Sequence, residues 1–274
     1  MTFSSRDLER LADIVSAAAE REIMPRFRRL GTEAVREKTS HMDLVTDADE
    51  AADTAIKLGV AKAFPQAVFV GEESVERDPG VLAGIAGADL AIVVDPIDGT
   101  SNYTWGLPLF GMLAAVTIKG ETVAGLIYDP IGKDWLFGLR GAGAWQRDSS
   151  GACSDIRVAS PVAVGQMIGV TSWYLMPEPM RSRVAANLAR VGAPFAYRCA
   201  AYEYRLVATG KCHFSLHYKL MPWDHAAGVL IHSEAGGYAA RYDGSRYLPS
   251  QTTGGIICAP DRESWTAIHE VLFG

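Results

Sequence analysis

Cysteine is scarce in this chain, and what there is forms no pattern. Cys153, Cys199, Cys212 and Cys258 are scattered with no Cys-x-x-Cys pair, which points to four reduced, mostly buried thiols and a cytoplasmic protein. Six histidines occur without a His-Glu-x-x-His motif, so a zinc site is not expected. No apolar run approaches the roughly 20 residues of a membrane span. Arg6, Asp7, Glu9 and Arg10 come early, with no apolar core of signal-peptide length behind them. Basic excess is missing as well: the net charge is -6 and the pI about 5.5, which argues against a general nucleic-acid binder. The one basic patch, Arg26-Phe27-Arg28-Arg29, reads as a solvated helix face. There is no internal repeat and no low-complexity tract. What remains is an ordinary globular composition, 49% hydrophobic and 21% charged over 274 residues, enough for one large domain or two joined lobes.

The most informative segment is Asp95-Pro96-Ile97-Asp98-Gly99-Thr100-Ser101-Asn102-Tyr103. It follows an apolar run, Leu90 to Val94, that reads as a buried strand. Two carboxylates three residues apart, then a glycine and two hydroxyls, are what a metal-assisted phosphate site needs. Carboxylates hold hard divalent cations, and N–H groups and hydroxyls at a helix start receive phosphate oxygens. Pro96 stiffens the backbone between the two acids, and Gly99 lets the chain approach a phosphate without a Cβ in the way. The plainer reading of the same residues is a strand ending in a turn, since Asp-Pro and Asp-Gly are both turn dipeptides.

Helical spacing of Leu8, Leu11, Val15 and Ala18 predicts an amphipathic first helix, interrupted near Pro25. Thr46-x-x-Asp49 looks like a capping box opening a second helix that ends before Pro65. Asp49 therefore has two competing roles, helix cap and site residue. Asp47 is expected to face solvent in the first turn. Met112–Lys119, Thr122–Asp129 and Trp135–Leu139 read as consecutive strands, hence an antiparallel sheet. From Gly165 onward strand-like and helix-like pieces alternate, among them a helix over Glu178–Val191 and another over Trp223–Ala235, favouring an α/β lobe. The polar stretch Asp148 to Asp155 is the expected boundary between an N-terminal α+β lobe, 1–147, and a C-terminal α/β lobe, 148–274.

Charge bookkeeping favours a metal. Between Asp43 and Tyr103 there are twelve acidic residues and three basic ones, Lys57, Lys62 and Arg77. Glu72, Asp95 and Asp98 each end an apolar strand-like run and cannot all be solvated. Two carboxylates about 4 Å apart repel by about 4 kcal/mol at an effective dielectric of about 20. A converging cluster needs protons or cations, and all-oxygen ligands select magnesium or manganese over zinc.

Four segments in this order, Asp43-Leu44-Val45-Thr46-Asp47-Ala48-Asp49, Gly71-Glu72-Glu73-Ser74, the Asp95 segment and Pro222-Trp223-Asp224-His225-Ala226-Ala227-Gly228, resemble the inositol monophosphatase family. That family belongs to a group of magnesium-dependent, lithium-sensitive phosphatases, and the resemblance spans most of the chain. It implies a layered αβαβα sandwich with the site between two lobes, a homodimer, and two or three Mg2+ per site, with Mn2+ as an alternative. It further implies that Glu72, Asp95 and the Ile97 carbonyl hold one metal and that Asp95, Asp98 and Asp224 hold a second, with Glu72 helping to retain a third. Thr100, paired to Asp49, would orient the attacking water with Glu72 nearby. Gly99, Thr100 and Ser101 would bind phosphate, and Asp98, Ala200, His217 and Asp224 would contact the substrate. Lys38 would lie in an active-site loop, Lys38-Thr39-Ser40-His41.

The function this implies is hydrolysis of a small polyol, sugar or nucleotide phosphate by a metal-activated water. Related activities carry the same motifs: 3'-phosphoadenosine 5'-phosphate phosphatase, fructose-1,6-bisphosphatase and histidinol-phosphatase. A rival of another class is a regulatory protein that keeps the fold and works through a partner such as RNA polymerase. No membrane association is expected, and nucleic acid is not the expected partner. One departure from the family pattern concerns the substrate: the glutamate seven residues before the Trp-Asp aspartate is replaced here by His217. A neutral imidazole cannot supply two acceptor oxygens, and Tyr197, Arg198 and Tyr202 add bulk and positive charge nearby. Inositol 1-phosphate is therefore expected to be a poor substrate, and one with a second anionic group a better one. Trp223 is expected in the core, and His225 and His232 at surface or satisfied core positions.

Overall fold

The computed structural model describes residues 2–40 and 43–274. Helix α1 (Ser5–Ala18) opens the chain, followed by the antiparallel pair β1 (Val35–Ser40) and β2 (Asp43–Thr46) and by α2 (Asp47–Ala63). Next come β3 (Val68–Gly71), the short helices α3 (Glu72–Arg77) and α4 (Gly80–Ala83), β4 (Ala91–Asp98) and α5 (Thr100–Thr104). Strands β5 (Gly111–Ile118), β6 (Glu121–Asp129), β7 (Asp134–Leu139), β8 (Gly143–Arg147) and β9 (Cys153–Asp155) complete a seven-stranded sheet in the order β3 to β9. Its strands are antiparallel except for the parallel pair β3–β4. The remaining elements are β10 (Ile168–Thr171), α6 (Met180–Asn187), β11 (Ala193–Phe195), α7 (Ala200–Ala208), β12 (Phe214–His217), α8 (Pro222–Glu234), β13 (Tyr238–Arg241), β14 (Ile256–Ala259) and α9 (Arg262–Phe273). Their strands form a five-stranded mixed sheet, β11-β10-β12-β14-β13.

Period-two alternation explains how the large sheet is buried on both faces. Ile92 and Val94 of β4, with Met112, Ala114 and Val116 of β5, join Leu8, Leu11, Ile56 and Val60 of α1 and α2 in one core. Their alternates Val93, Leu113 and Ala115 join Tyr204, Ala226, Ala227 and Ile231 of α7 and α8 in a second. A third core lies between the outer face of the small sheet and α6 and α9. The layers are thus α1/α2, large sheet, α7/α8, small sheet and α6/α9, the expected αβαβα sandwich. Helix α8 is apolar over most of its surface because it lies between two sheets. It fits there because the large sheet has no side chain at two points. A Cβ on Gly125 would meet the Ala227 Cα at 2.9 Å, and one on Gly138 the Ile231 Cα at 3.0 Å.

Several expectations are corrected in detail. The stretch Asp148–Asp155 does not separate two lobes; it is the β8–β9 turn and β9 itself, so the chain leaves the large sheet only after Asp155. The helix expected from Glu178 begins after Pro179. Arg26 to Arg29 is no helix face: the residues after the first helix form turns, Arg26 pairs with Glu22, and Arg28 binds the Gly106 carbonyl. No helix among the described residues is long and apolar enough to cross a membrane.

Candidate active site

Strand β4 does not stop at Val94. It runs to Asp98, with an irregular register against β5 between Asp95 and Asp98. Pro96 between them has no N–H to give the ladder. Both aspartates are therefore held on buried backbone rather than on a loop: Asp95 is 2% exposed and Asp98 8%. Asp95 Oδ1 accepts the Ile97 N–H at 3.0 Å. From the other half of the molecule, Asp224 enters in the first turn of α8, opened by Pro222. Carboxylate oxygens of Asp95, Asp98 and Asp224 all lie within 4.8 Å of one another.

Electrostatics shows what this convergence costs. Burial, then the charges of Glu72, Asp98 and Asp224, push Asp95 well above the usual carboxylate range. Asp224 is raised for the same reasons, burial first and then Glu72 and Asp98. Burial lifts Asp98 to about 6, although the Ala201 N–H at 2.5 Å, the Cys199 thiol at 3.0 Å and the Ala200 N–H stabilise its charge. Among the described residues no ion pair reaches any of the three. A proton shared between Asp95 and Asp224 is one relief of the repulsion, and a divalent cation is the other. The donor set is oxygen only, which fits a hard cation such as magnesium.

Glu72 stands apart from this group. It lines the same cleft, but Lys38 Nζ holds its Oε1 at 2.8 Å and Glu73 Oε1 at 2.5 Å. Burial opposes the Lys38 charge, yet the two glutamates hold its pKa well above the ordinary lysine value. This corrects two expectations. Lys38 lies on strand β1, not in a loop, and it supplies a cation that the local charge count left out. The His41 end of the expected loop lies outside the described residues.

Asp49 caps α2 and also reaches toward the cleft-lining Thr100. Its Oδ2 closes the capping box with the Thr46 N–H and hydroxyl, and its Oδ1 lies 3.4 Å from Thr100 Oγ1. Burial raises it to about 7. Thr100 Oγ1 also donates to the Ile97 carbonyl at 3.0 Å. Gly99 has φ +86°, and a Cβ there would meet the Leu109 carbonyl at 2.9 Å and Cys199 Cβ at 3.1 Å. Glycine is thus required at this turn, which starts the one-turn helix α5 with Thr100 and Ser101 facing the cleft. Asp47 is exposed and pairs with Arg36.

The cleft holds about 310 Å3 and gathers Glu72, Asp95, Ile97, Asp98, Gly99, Thr100, Ser101, Ala200, His217 and Asp224. Its other wall carries Tyr174, Arg198, Glu203 and Lys219, of which only Arg198 was singled out from sequence. Glu203 is 3% exposed and accepts the N–H groups of Tyr197 and Arg198 at 2.9 and 3.2 Å. Burial raises it to about 8. Its Oε2 stands 3.7 Å from His217 Nδ1. Burial also keeps His217 neutral, well below the ordinary imidazole value.

Trp223 and His232 are core residues, and His225 is fixed in the core by the Tyr204 hydroxyl and the Lys219 carbonyl. Tyr202 does not enter the cleft wall; its hydroxyl binds Asp129 at 2.7 Å. His213 and His217 are four residues apart, but on strand backbone that spacing is about 13 Å, and His213 Nδ1 accepts the Ile168 N–H. All four cysteines are free, and only Cys153 is exposed.

A layered sandwich with an acid-lined cleft where its sheets adjoin defines the class of protein. The inositol monophosphatase family model matches residues 7–272, and the chain belongs to that family. It is 33% identical over 222 residues to "Nus factor SuhB" of Pasteurella multocida, covering 80% of this chain and 79% of the relative. It is 29% identical over 215 residues to the "Fructose-1,6-bisphosphatase/inositol-1-monophosphatase" of Thermotoga maritima, covering 77% and 76%. Among solved structures, the extragenic suppressor protein suhB of Bartonella henselae superposes with a TM-score of 0.81 at 25% identity, covering 98% of this chain and 99% of the other.

Proposed function

We propose that this protein is a magnesium-dependent phosphomonoesterase acting on a small phosphorylated polyol, sugar or nucleotide. One observation carries the reading: Asp95, Asp98 and Asp224 converge within 4.8 Å, buried or half-buried, with no paired cation among the described residues. Family membership and a relative named as a phosphatase agree with it.

Asp95, Asp98 and Asp224 would hold one divalent cation, and Glu72, Asp95 and the Ile97 carbonyl a neighbouring one, with manganese as the alternative ion. Bound metal supplies charge stabilisation to the phosphoryl group and leaving oxygen. The chain's own groups do the rest. Thr100 Oγ1 can direct its proton to Asp49 Oδ1 or to the Ile97 carbonyl, which leaves a lone pair facing the cleft to orient an attacking water. Gly99, Thr100 and Ser101 line the place where phosphate oxygens would lie. Ala200, at the start of α7, and His217 line the part of the cleft left for the rest of the substrate. A homodimer and lithium inhibition belong to the same proposal.

Relatives named Nus factor support a second reading, a regulatory protein that keeps the fold. One experiment separates the two: phosphate release across a panel of small phosphate esters, with and without magnesium. Magnesium-dependent release supports the phosphatase. No release from any ester at saturating magnesium removes it and leaves the regulatory reading.

A further inference from the structure

Helix α2 buries two carboxylates one turn apart, of which only Asp49 reaches toward the cleft, through Thr100. Asp53 lies four residues on, along the same face of the helix, and is wholly buried outside the cleft. Its Oδ2 accepts the Ser74 hydroxyl at 2.7 Å and an N–H of Arg77 Nη2 at 3.0 Å. Its Oδ1 has no hydrogen-bond partner among the described residues. That oxygen is pressed against the backbone of Gly71, where an added Cβ would come within 1.9 Å of it. A buried acid with one oxygen left over needs a reason for being where it is.

Stability alone does not supply that reason. A buried ion pair can commonly be replaced by apolar side chains of similar size without loss of stability. The cation here, Arg77, has a side chain 58% exposed, where a pair contributes little. The placement of the acid is more telling. Gly71 and Ser74 bracket Glu72 and Glu73, so Asp53 grips the chain on both sides of them. Arg77 closes the loop by donating to the Glu73 carbonyl at 3.0 Å. The two glutamates open α3, which is six residues long and has no side-chain cap at Gly71. A helix that short does not hold itself, whereas α2 runs for 17 residues behind its own capping box. Lys38 touches only the carboxylate ends of Glu72 and Glu73; the backbone that carries them is tied to α2 through Asp53.

We propose that Asp53 is a positioning residue: through Ser74 it fixes Glu72 against α2, so that one rigid helix sets the spacing between Glu72 and the Asp49–Thr100 pair. The inference rests on the phosphatase reading, in which Glu72 holds a cation beside the water that Thr100 orients. Asp53 touches neither. It governs how tightly the cation at Glu72 is held, not whether Asp95, Asp98 and Asp224 converge.

The test titrates the metal-free protein with Mn2+ by calorimetry, with free Mn2+ followed by its EPR signal. Glu72→Gln identifies the binding step that depends on Glu72. Ser74→Ala removes one hydroxyl from the tie and should weaken that step about tenfold, the lower end of the effect of loosening the groups that orient a metal ligand. Asp53→Ala should weaken it at least as much, and both variants should leave the remaining step unchanged. Should Asp53→Ala not fold, Ser74→Ala decides alone. In the Glu72→Gln background Ser74→Ala should alter no remaining step, because a residue that acts through Glu72 has nothing left to act on, whereas independent effects would add. A Glu72 step left intact by Ser74→Ala and Asp53→Ala, or every step weakened alike, overturns the positioning role while the phosphatase reading stands. No Mn2+ bound by the unaltered protein, or no step lost in Glu72→Gln, overturns the metal reading and the positioning role together.

Discussion

The two walls of the cleft are assembled differently. One is drawn from the end of β4, backed by the capping box at Thr46–Asp49, with Asp224 added from the first turn of α8, and it is anchored in and against a sheet buried on both faces. The other is drawn from Tyr174, Arg198, Glu203, His217 and Lys219, which sit on turns, on α7 and at the end of β12. On the first wall the acids repel one another and demand a cation. A wall that needs its ligand to be electrostatically satisfied suits chemistry common to many substrates. The second wall makes no such demand, because its carboxylate, Glu203, is held by backbone N–H groups.

The sharpest way to break this contrast is to remove charge from the first wall. Asp95→Asn should lower turnover by roughly 1000-fold or more, since metal stabilisation of the transition state is worth several kcal/mol. The metal-free protein should unfold at the same temperature or higher, because a buried repulsion is gone. Near-normal phosphate release by this variant at saturating magnesium would show that the acids are not a metal site.

A smaller effect is expected beside the acids. Thr100→Ala should slow phosphate release by about 100-fold, the scale of a lost proton-transfer path, with magnesium affinity nearly unchanged by calorimetry. If magnesium affinity falls while the rate at saturating metal holds, Thr100 serves only to fix the Ile97 turn.

The third test leaves both walls and reads the helix between them. Burial holds His225 and His232 of α8 down at about 4, from an ordinary 6.5. As pH falls below 6.5, the unfolded chain takes up these protons first. The stability that neutral burial contributes is therefore complete above pH 6.5 and is lost as pH falls toward 4. The shift corresponds to roughly 3 kcal/mol for each imidazole. Denaturant unfolding at stepped pH should show His232→Gln, which keeps a donor for the Ala259 carbonyl, with a flatter loss over this window than the unaltered protein. Parallel curves would mean that His232 does not contribute to acid sensitivity.

Much of the first wall was legible because its chemistry is consecutive. Asp95 to Ser101 names two acids, the glycine turn and the hydroxyls in one stretch, and a capping box is a local pattern. The αβαβα layering followed from strand and helix periods that the structure keeps. What was missed lacks an apolar pattern. Strand β1 reads Val-Arg-Glu-Lys-Thr-Ser and exists through pairing with β2. β9 is three exposed residues at a sheet edge. Glu203 did leave a signal: it lies four residues before Val207 and beside Tyr204 on the buried face of α7, an acid on an apolar stripe. The placement of Lys38 against Glu72 and Glu73, more than thirty residues away, has no counterpart in local sequence.

Helix α8 brings Asp224 to the cleft only because Gly125 and Gly138 let its backbone rest directly on the large sheet. The thickness of that layer therefore sets the spacing of the acid cluster. One residue of helix rise is about 1.5 Å, a shift large enough to disperse three oxygens now within 4.8 Å. A methyl group added at Gly125, on a strand that contributes no residue to the metal group, would act as a shim under the helix. It would mistune the distance between two carboxylates without altering either. Variation at those two glycines is thus a mechanical control on the site, exerted through spacing instead of chemistry.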